Sequence, residues 1–179
     1  LRQVIDVNSI DYLVMSHTEP DHAGSVEKLL DYSPQMKILA TPCAVGFLKE
    51  IVNRDFVSLP VKDGQQMKIG ERTLRFMAVP NLHWPDTMYT FIEEEQILVT
   101  CDSFGAHYCL PEVLRSKVQN EQDYQKALKY YFDCIIGPFK PFMLRALDRV
   151  EPLDVTLVCT GHGPVLDSRI RETFAQYRQ

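Results

Sequence analysis

The sequence predicts an α/β fold in which a mixed β-sheet is flanked by helices, and three observations support this. Short, continuously apolar runs such as Tyr12 to Met15 indicate buried strands. Amphipathic segments, such as the one in which Val26, Leu29 and Leu30 share a face, indicate helices packed on a sheet. Strand-rich and helix-rich segments mix without a regular strand–helix–strand repeat, which favours a mixed sheet over a doubly wound parallel one.

The other elements are predicted from the same patterns, with glycine and proline marking turns. Thr41 is the expected N-cap of a helix that has Pro42 in its first turn. The predicted order is a strand at Tyr12–Met15, a helix from His22, a strand at Met36–Thr41, a helix at Pro42–Val52, strands at Phe56–Leu59, Gln66–Ile69 and Thr73–Val79, a hairpin at Met88–Asp102, helices at Glu121–Cys134 and Pro141–Val150, a strand at Asp154–Thr160 and a helix from Asp167.

The composition indicates one globular domain over residues 1–179. The chain is 45% hydrophobic and 24% charged, and it has no apolar run long enough for a membrane span, so we expect a cytoplasmic protein. Its net charge of −5, with both signs interspersed, gives no reason to expect nucleic acid or a membrane as partner. The five cysteines form no C-x-x-C pair, which favours reduced thiols over disulfides or a zinc ribbon.

A loop with four metal-ligand side chains directly follows the first predicted strand. In the stretch SHTEPDHAGS, His17, Glu19, Asp21 and His22 fall within six consecutive positions. Imidazole suits zinc, iron and copper, and carboxylate oxygen suits harder ions, so this mixed set favours zinc, iron or manganese. A solvated loop in which Thr18 or Asp21 caps the next helix is the competing interpretation. The density of ligand types after a buried strand favours the metal site.

The other histidines and one aspartate occupy distinctive positions. His83 precedes the rigid turn at 84–86, His107 lies in CDSFGAHY, and His162 lies between two glycines, where backbone can approach a ligand closely. Asp102 and His162 each follow an apolar strand. Because loops at strand ends can hold ligands at fixed separations, these positions predict a site assembled from distant segments.

The ordered set H-x-E-x-D-H, a lone histidine, an aspartate and a final histidine resembles the metallo-β-lactamase superfamily, whose first motif is usually H-x-H-x-D-H. Glu19 in place of the second histidine is the mark of the flavodiiron proteins, also called A-type or diflavin flavoproteins. The segments SHTEPDHAGS, HWPDTM, CDSFGAH and GHGPV are similar to the metal-site segments of that family, and the resemblance runs from about Ile10 to the C-terminus. It implies a metallo-β-lactamase-like αββα sandwich with a non-haem diiron centre.

The resemblance also implies the roles of individual residues. Seven are implied as ligands, with one iron held by His17, Glu19 and His83, the other by Asp21, His22 and His162, and Asp102 bridging them. No catalytic residue beyond these ligands is implied. Five others are candidates for orienting the ligands or lining the substrate pocket, namely Trp84, Asp86, His107, Phe104 and Tyr108.

The implied reaction is reduction of O2 to water, of NO to N2O, or both. A carboxylate in place of imidazole stabilises ferric over ferrous iron, and zinc cannot change oxidation state, so Glu19 favours electron transfer over hydrolysis. In the family, electrons come from an upstream redox donor through FMN in a flavodoxin-like domain. A head-to-tail homodimer brings the FMN of one subunit near the irons of the other.

This sequence departs from the family pattern at both ends. It starts at Leu1, without the strands that precede the segment matching Ile10 in the family, and it contains no flavodoxin-type phosphate loop. We therefore expect a partial domain, truncated at its N-terminus and without FMN-binding residues. We expect the isolated chain not to turn over with electrons derived from NAD(P)H.

Two other functions are open on the sequence. One is a zinc-dependent hydrolase of the same superfamily, of thioesterase or lactonase type, in which a metal-bound hydroxide attacks the substrate. The other is a non-enzymatic diiron module that senses oxygen. Position 19 distinguishes the hydrolase from the diiron oxidoreductase, since glutamate favours iron and histidine would favour zinc.

Overall fold

The computed structural model describes all 179 residues and confirms the α/β fold class, with two separate sheets. The first sheet has three parallel strands in the order β1-β2-β3, and the second has five strands in the order β4-β5-β6-β7-β8. The strands are β1 (Tyr12–Val14), β2 (Lys37–Ala40), β3 (Val57–Pro60), β4 (Gln66–Ile69), β5 (Arg72–Ala78), β6 (Met88–Ile92), β7 (Ile97–Cys101) and β8 (Leu157–Thr160).

Six α-helices cover the outer faces of the two sheets. They are α1 (Pro20–Ala23), α2 (Val26–Tyr32), α3 (Pro42–Ile51), α4 (Glu121–Tyr131), α5 (Lys140–Val150) and α6 (Ile170–Arg178). A π-helix (Phe132–Ile136) and a 3-10 helix (Gly137–Phe139) connect α4 to α5, and further 3-10 helices span Val7–Ser9 and Arg115–Lys117. None of the helices is both long enough and apolar enough to cross a bilayer.

Three apolar clusters define the layers of a sandwich. One, containing Leu30 and Ile38, packs α1, α2 and α3 against the first sheet. A small cluster around Leu39 and Phe76 lies between the two sheets. The largest cluster, which includes the fully buried Leu147 of α5, packs α4, α5 and α6 against the second sheet. The order is therefore helix, sheet, sheet, helix, as the resemblance implied.

The elements agree with the sequence patterns except in three places. The first sheet is a regular βαβαβ unit, which the sequence did not reveal because strands of three or four residues are too short to show a clear period. The helix expected from His22 is two helices separated at Gly24 and Ser25. The helix expected through Cys134 leaves α-geometry after Tyr131 and continues as the π-helix.

The strand directions bring the predicted ligand loops to one edge. Strands β5 and β7 both run antiparallel to β6, and β8 runs parallel to β7, so β5, β7 and β8 end on the same side of the second sheet. The loop after β1 joins them there, because the amide of Met88 donates to the Ser16 carbonyl over 2.8 Å. Segments far apart in the chain thus meet at one place.

Candidate metal centre

The loop after β1 turns its carboxylates toward this edge. Pro20 begins α1, and Glu19 occupies its N-cap position without making a side-chain cap, so the Glu19 carboxylate is free to point elsewhere. Thr18 makes no cap either, since its hydroxyl donates to Asp86 over 2.9 Å. Of the two capping residues in the competing interpretation, Thr18 therefore does not cap the helix, and Asp21 lies inside α1.

A strained turn at the end of β7 carries Asp102 inward. The pairing of β7 with β8 is irregular between Val99 and Cys101, and bulges of this kind re-aim side chains at strand ends. Cys101 and Phe104 have φ of 53° and 67°, a region that non-glycine residues rarely adopt. Asp102 between them is 3% exposed. Strained backbone clusters at functional sites, which marks this turn as one.

The glycine before His162 makes room for the other ligands. A Cβ atom at Gly161 would lie 2.9 Å from Cε1 of His22 and 3.0 Å from Oδ1 of Asp102. Glycine is therefore required for the β8 loop to approach this closely. The chain brings His162 beside His22, with ring centroids 5.2 Å apart.

Three of the predicted ligands surround one oxygen of Asp102. Oδ2 of Asp102 lies 2.9 Å from Nε2 of His83 and 3.4 Å from Nε2 of His17. Oε2 of Glu19 lies 3.0 Å from the same atom of His83 and 3.3 Å from that of His17. Glu19, His17, His83 and Asp102 Oδ2 form the first half-site.

Two more lie near the other oxygen of the same carboxylate, and a third, Asp21, lies near both of these. Oδ1 of Asp102 lies 3.0 Å from Nε2 of His22 and 3.5 Å from Nε2 of His162. Oδ2 of Asp21 lies 3.5 Å and 3.3 Å from those two nitrogens. Asp21, His22, His162 and Asp102 Oδ1 form the second half-site.

The close contacts within this cluster shift the pKa values of several of its members. Burial alone would raise the pKa of Asp102, but the imidazoles of His22, His83 and His17 outweigh it and hold that pKa below its usual range. The neighbouring Asp102 carboxylate raises the pKa of His22 and of His83, whereas burial lowers the pKa of His17. Metal ions bind the deprotonated forms of such side chains, so ion binding and protonation would compete here.

The donor atoms fit metal ions. Nε2 of His22 and Oδ1 of Asp102 are 3.0 Å apart, yet both are buried without a hydrogen-bond partner of acceptable geometry. Buried polar atoms are normally paired, so a cation between such atoms would satisfy both. Each half-site offers two imidazole nitrogens and carboxylate oxygen, a set suited to zinc, iron or manganese.

The five candidates for orienting or lining residues lie in different surroundings. Trp84 faces His17, with ring centroids 6.2 Å apart, and His107 faces His162 at 5.3 Å. Asp86 is buried and accepts a hydrogen bond from Thr18, the residue that follows His17 in sequence. Phe104 packs in the core against Phe174 and Tyr177, and Tyr108 packs against Tyr124.

Two aromatic residues that sequence reasoning missed contact the ligands. Tyr131, at the end of α4, lies 5.9 Å from His162 between ring centroids, and Phe139 lies 6.1 Å from His83. They lie on either side of the π-helix, so the α4–α5 connection places one aromatic ring near each half-site. π-Helices are frequent at functional sites, but nothing in the residue pattern distinguished this one from α-helix.

A thiol also borders the second half-site. Sγ of Cys101 lies 3.7 Å from Nδ1 of His22, the ring nitrogen that faces away from Asp102. Burial raises the pKa of this thiol, so at neutral pH it is a neutral contact. The sequence predicted only that the cysteines are reduced thiols, and it did not indicate this contact.

Comparison with known families supports the same interpretation of the motifs. Residues 1–163 match the family described as "ODP family beta lactamase". Among curated proteins, the chain is 40% identical over 168 residues to the flavo-diiron protein FprA2 of Clostridium acetobutylicum, covering 93% of this chain and 42% of that protein. It is 43% identical over 176 residues to the putative diflavin flavoprotein A 1 of Nostoc sp., covering 98% and 30%.

Solved structures give the same result for the fold. The rubredoxin oxygen:oxidoreductase of Desulfovibrio gigas superposes with a TM-score of 0.93 at 26% identity, covering 99% of this chain and 45% of that one. The flavodiiron protein of Giardia intestinalis superposes with a TM-score of 0.92 at 29% identity, covering 98% and 43%. The chain thus spans less than half the length of these relatives.

Proposed function

Because this chain belongs to the ODP family of beta-lactamase-like domains and resembles flavodiiron oxidoreductases, we propose that it reduces O2 to water, NO to N2O, or both at a diiron centre. The observation that carries the proposal is the division of the donor atoms between the two oxygens of one buried carboxylate, Asp102. Such a carboxylate can bridge two ions, and paired ions can bind both ends of a diatomic molecule.

In this proposal His17, Glu19 and His83 hold one iron and Asp21, His22 and His162 hold the other. Iron bound there would supply the electrons for the substrate, and a flavin would be the source that replaces them. Glu19 supplies negative charge and a hard oxygen to the first iron, which favours redox cycling over the hydrolytic chemistry of zinc.

The residues around the ligands would control access and protons. Trp84 and Phe139 border the first half-site with apolar rings, which would exclude water from the substrate. Tyr131 keeps its phenolic proton at neutral pH, because burial raises its pKa far above the usual value. Its hydroxyl is therefore a hydrogen-bond donor near the second half-site.

We also propose the context in which the chain works. Residues 1–179 would form a single, partial metallo-β-lactamase-like domain, and electrons would arrive from FMN in a flavodoxin-like domain fed by an upstream redox donor. A head-to-tail homodimer would bring that FMN to the irons, in the cytoplasm. The proposal involves neither nucleic acid nor a membrane.

A single-turnover experiment tests the proposed reaction without the flavin. The chain is reconstituted anaerobically with Fe²⁺, its metal content is measured, and it is mixed with NO or O2. Two electrons and two protons convert two NO to one N2O and one water, so one N2O is expected per diferrous centre. Four electrons and four protons convert one O2 to two water molecules, so one O2 is expected to be consumed per two diferrous centres, without accumulation of free hydrogen peroxide.

Glu19→His is the matched variant, since it restores the commoner H-x-H-x-D-H motif. We expect it to raise the zinc content relative to iron and to reduce the single-turnover yield. Two zinc ions in the unsubstituted chain together with esterase activity would overturn the proposal in favour of a hydrolase. A stable coloured oxygen adduct without multiple turnover under any reductant would favour oxygen sensing.

A further inference from the structure

Strand β6 contributes no candidate ligand, yet it is bonded to two of the segments that do. The amide of Met88 donates to the carbonyl of Ser16, in the first ligand loop, over 2.8 Å. The next residue, Tyr89, packs on the helix-covered side of the sheet, and its hydroxyl donates to Oγ of Ser103 over 2.5 Å. Because Ser103 directly follows Asp102, β6 also holds the turn that carries the shared carboxylate.

The hydrogen bond between Tyr89 and Ser103 is shielded from solvent, since both residues are fully buried. Burial raises the pKa of the Tyr89 hydroxyl well above its usual value, so this hydroxyl keeps its proton and acts as a donor. A buried polar group that loses its partner pays the full cost of desolvation. The two side chains should therefore stay together in the folded chain.

A second buried hydroxyl holds the same turn. Thr100, on β7, donates to the main-chain carbonyl of Ser103 over 2.9 Å. Ser103 is thus bonded through its side chain to β6 and through its main chain to β7. Cys101 and Phe104, on either side of this part of the turn, have positive φ. Such strained conformations persist only where the surrounding structure holds them, and these two hydroxyls supply that restraint.

We propose that Tyr89 and Thr100 are positioning residues for Asp102 and that both act through Ser103. They hold the turn in the conformation that aims the Asp102 carboxylate at both half-sites. Without them a smaller fraction of the molecules would present the carboxylate, and the apparent affinity for an ion would fall with that fraction. This inference rests on the proposed metal centre, but it does not depend on which metal binds or on which substrate is reduced.

The shared carboxylate gives this role a distinctive signature. Asp102 faces His83 with one oxygen and His22 with the other. A turn that is no longer held should therefore weaken metal binding in both half-sites by a similar factor. A residue that supports only one ligand loop should weaken only one of them.

The test is a Co²⁺ titration followed by visible absorption, with Tyr89→Phe as the main variant. Phenylalanine keeps the ring in the core and removes only the hydroxyl. Ser103→Ala removes the acceptor, and Thr100→Val removes the second hydroxyl at nearly constant volume. Tyr124→Phe is the matched control, since Tyr124 is also fully buried but its hydroxyl has no hydrogen-bond partner.

Each variant is made in two backgrounds that isolate one half-site. Asp21→Asn with His162→Ala leaves the first half-site, and Glu19→Gln with His83→Ala leaves the second. In each background Tyr89→Phe should weaken Co²⁺ binding about 2- to 10-fold, the effect of one buried hydrogen bond. The factors measured in the two backgrounds should agree within about twofold.

The combined variants show whether the residues act through one contact. Tyr89→Phe together with Ser103→Ala should lose no more affinity than the larger of the two single losses, because both remove the same hydrogen bond. Thr100→Val should also weaken both half-sites, whereas Tyr124→Phe should change neither.

An unchanged Co²⁺ affinity in Tyr89→Phe, even with a lower Tm of the metal-free protein, would overturn the inference by showing a purely structural role. A loss confined to one half-site, or an equal loss in Tyr124→Phe, would also overturn it. If the unsubstituted chain prefers zinc but Tyr89→Phe weakens both half-sites, the proposed function fails and the inference holds. If the unsubstituted chain binds no Co²⁺, both fail.

Discussion

The two halves of the candidate metal centre differ in how far their side chains are exposed to solvent. In the first half-site the side chains of His17 and Glu19 are 1% and 32% exposed, whereas in the second those of His162 and Asp21 are 28% and 51% exposed. Both halves share Asp102, which is buried. Since charges interact more strongly where water is excluded, the same ion should be bound more tightly in the first half-site.

The residues that hold the ligand loops in place also differ between the two half-sites. The first is held by buried polar residues, Asp86 and Thr18, whose hydrogen bond is shielded from solvent. The second is held by the neutral thiol of Cys101 and by a loop whose anchoring carboxylate, Asp167, is partly exposed. From this comparison we predict that the proposed centre would hold one ion firmly and leave the other more open to solvent and substrate.

Removal of the shared carboxylate should have the largest effect, because it is the only ligand common to both halves. In Asp102→Asn we expect both ions to be bound at least about 100-fold more weakly. Loss of a residue that only hydrogen-bonds to a metal ligand typically costs about 10- to 100-fold in affinity. Iron content after anaerobic reconstitution measures this. Asp148→Asn, on the exposed surface, is the control. Retention of two irons by Asp102→Asn would show that the halves do not depend on their shared residue.

The carboxylates that are not shared sharpen the comparison. Glu19→Gln should weaken the first ion by roughly 100-fold and Asp21→Asn the second by roughly tenfold, because the exposed Asp21 interacts through water. Metal titrations of the two variants, followed by two-site fits, give both affinities. A larger loss in Asp21→Asn than in Glu19→Gln would contradict the ranking that burial predicts.

The residue pattern was sufficient to select the residues that the structure brings together, but not their surroundings. His17, Glu19 and Asp102 were identifiable because charged and imidazole side chains directly after buried strands are unusual. Tyr131 and Phe139 were not, because their contacts depend on a helix that changes geometry partway along, and an apolar or aromatic residue has an ordinary core role by default.

The same distinction explains which parts of the fold were predictable. The αββα arrangement followed from motifs, and most strands and helices followed from apolar periodicity and caps such as Thr41. The parallel repeat of the first sheet was missed, since β1 has only three residues. The inward aim of Asp102 depends on an irregular pairing and on positive φ angles at non-glycine residues, which sequence propensity does not encode.

Replacing Cys101 should have a smaller effect, confined to the second half-site. Serine keeps a polar group toward Nδ1 of His22 but has a shorter bond to Cβ, so we expect the second ion to be bound less than about tenfold more weakly. Cys101→Ala, which offers no polar contact and is not β-branched at this position of positive φ, should weaken it more. The Co²⁺ affinity of each half-site checks this, and an effect on the first half-site would contradict the separation of the two.

The smallest expected effect concerns the loop that carries His162. Asp167 accepts hydrogen bonds from the amide and hydroxyl of Ser116 over 2.8 and 2.5 Å. Asp167→Asn should lower the Tm by about 2–4 °C, corresponding to about 1 kcal/mol in a chain of this size. Differential scanning calorimetry measures the change, and metal affinity of the first half-site should not respond.

The difference in Tm between the unsubstituted protein and Asp167→Asn should depend on pH in a definite direction. Burial alone would raise the pKa of Asp167, but the Ser116 hydroxyl and amide hold it below the usual value. A depressed folded pKa gives stability that is present above the unfolded pKa of about 3.9 and is lost as the pH falls through the folded pKa. The Tm difference between the two proteins should therefore be constant above about pH 4.5 and shrink in acid. A difference that grows in acid would contradict this account.

The central claim is that Asp102 joins two unequal half-sites into one diiron centre. The most direct measurement is a Mössbauer spectrum, in an applied magnetic field, of the chain reconstituted with isotopically enriched iron and then oxidised. We expect two irons per chain, a diamagnetic ground state from coupling through the shared carboxylate and the ligands it aligns, and two distinguishable components of equal area. A single iron per chain, or two uncoupled paramagnetic ferric ions, would contradict it.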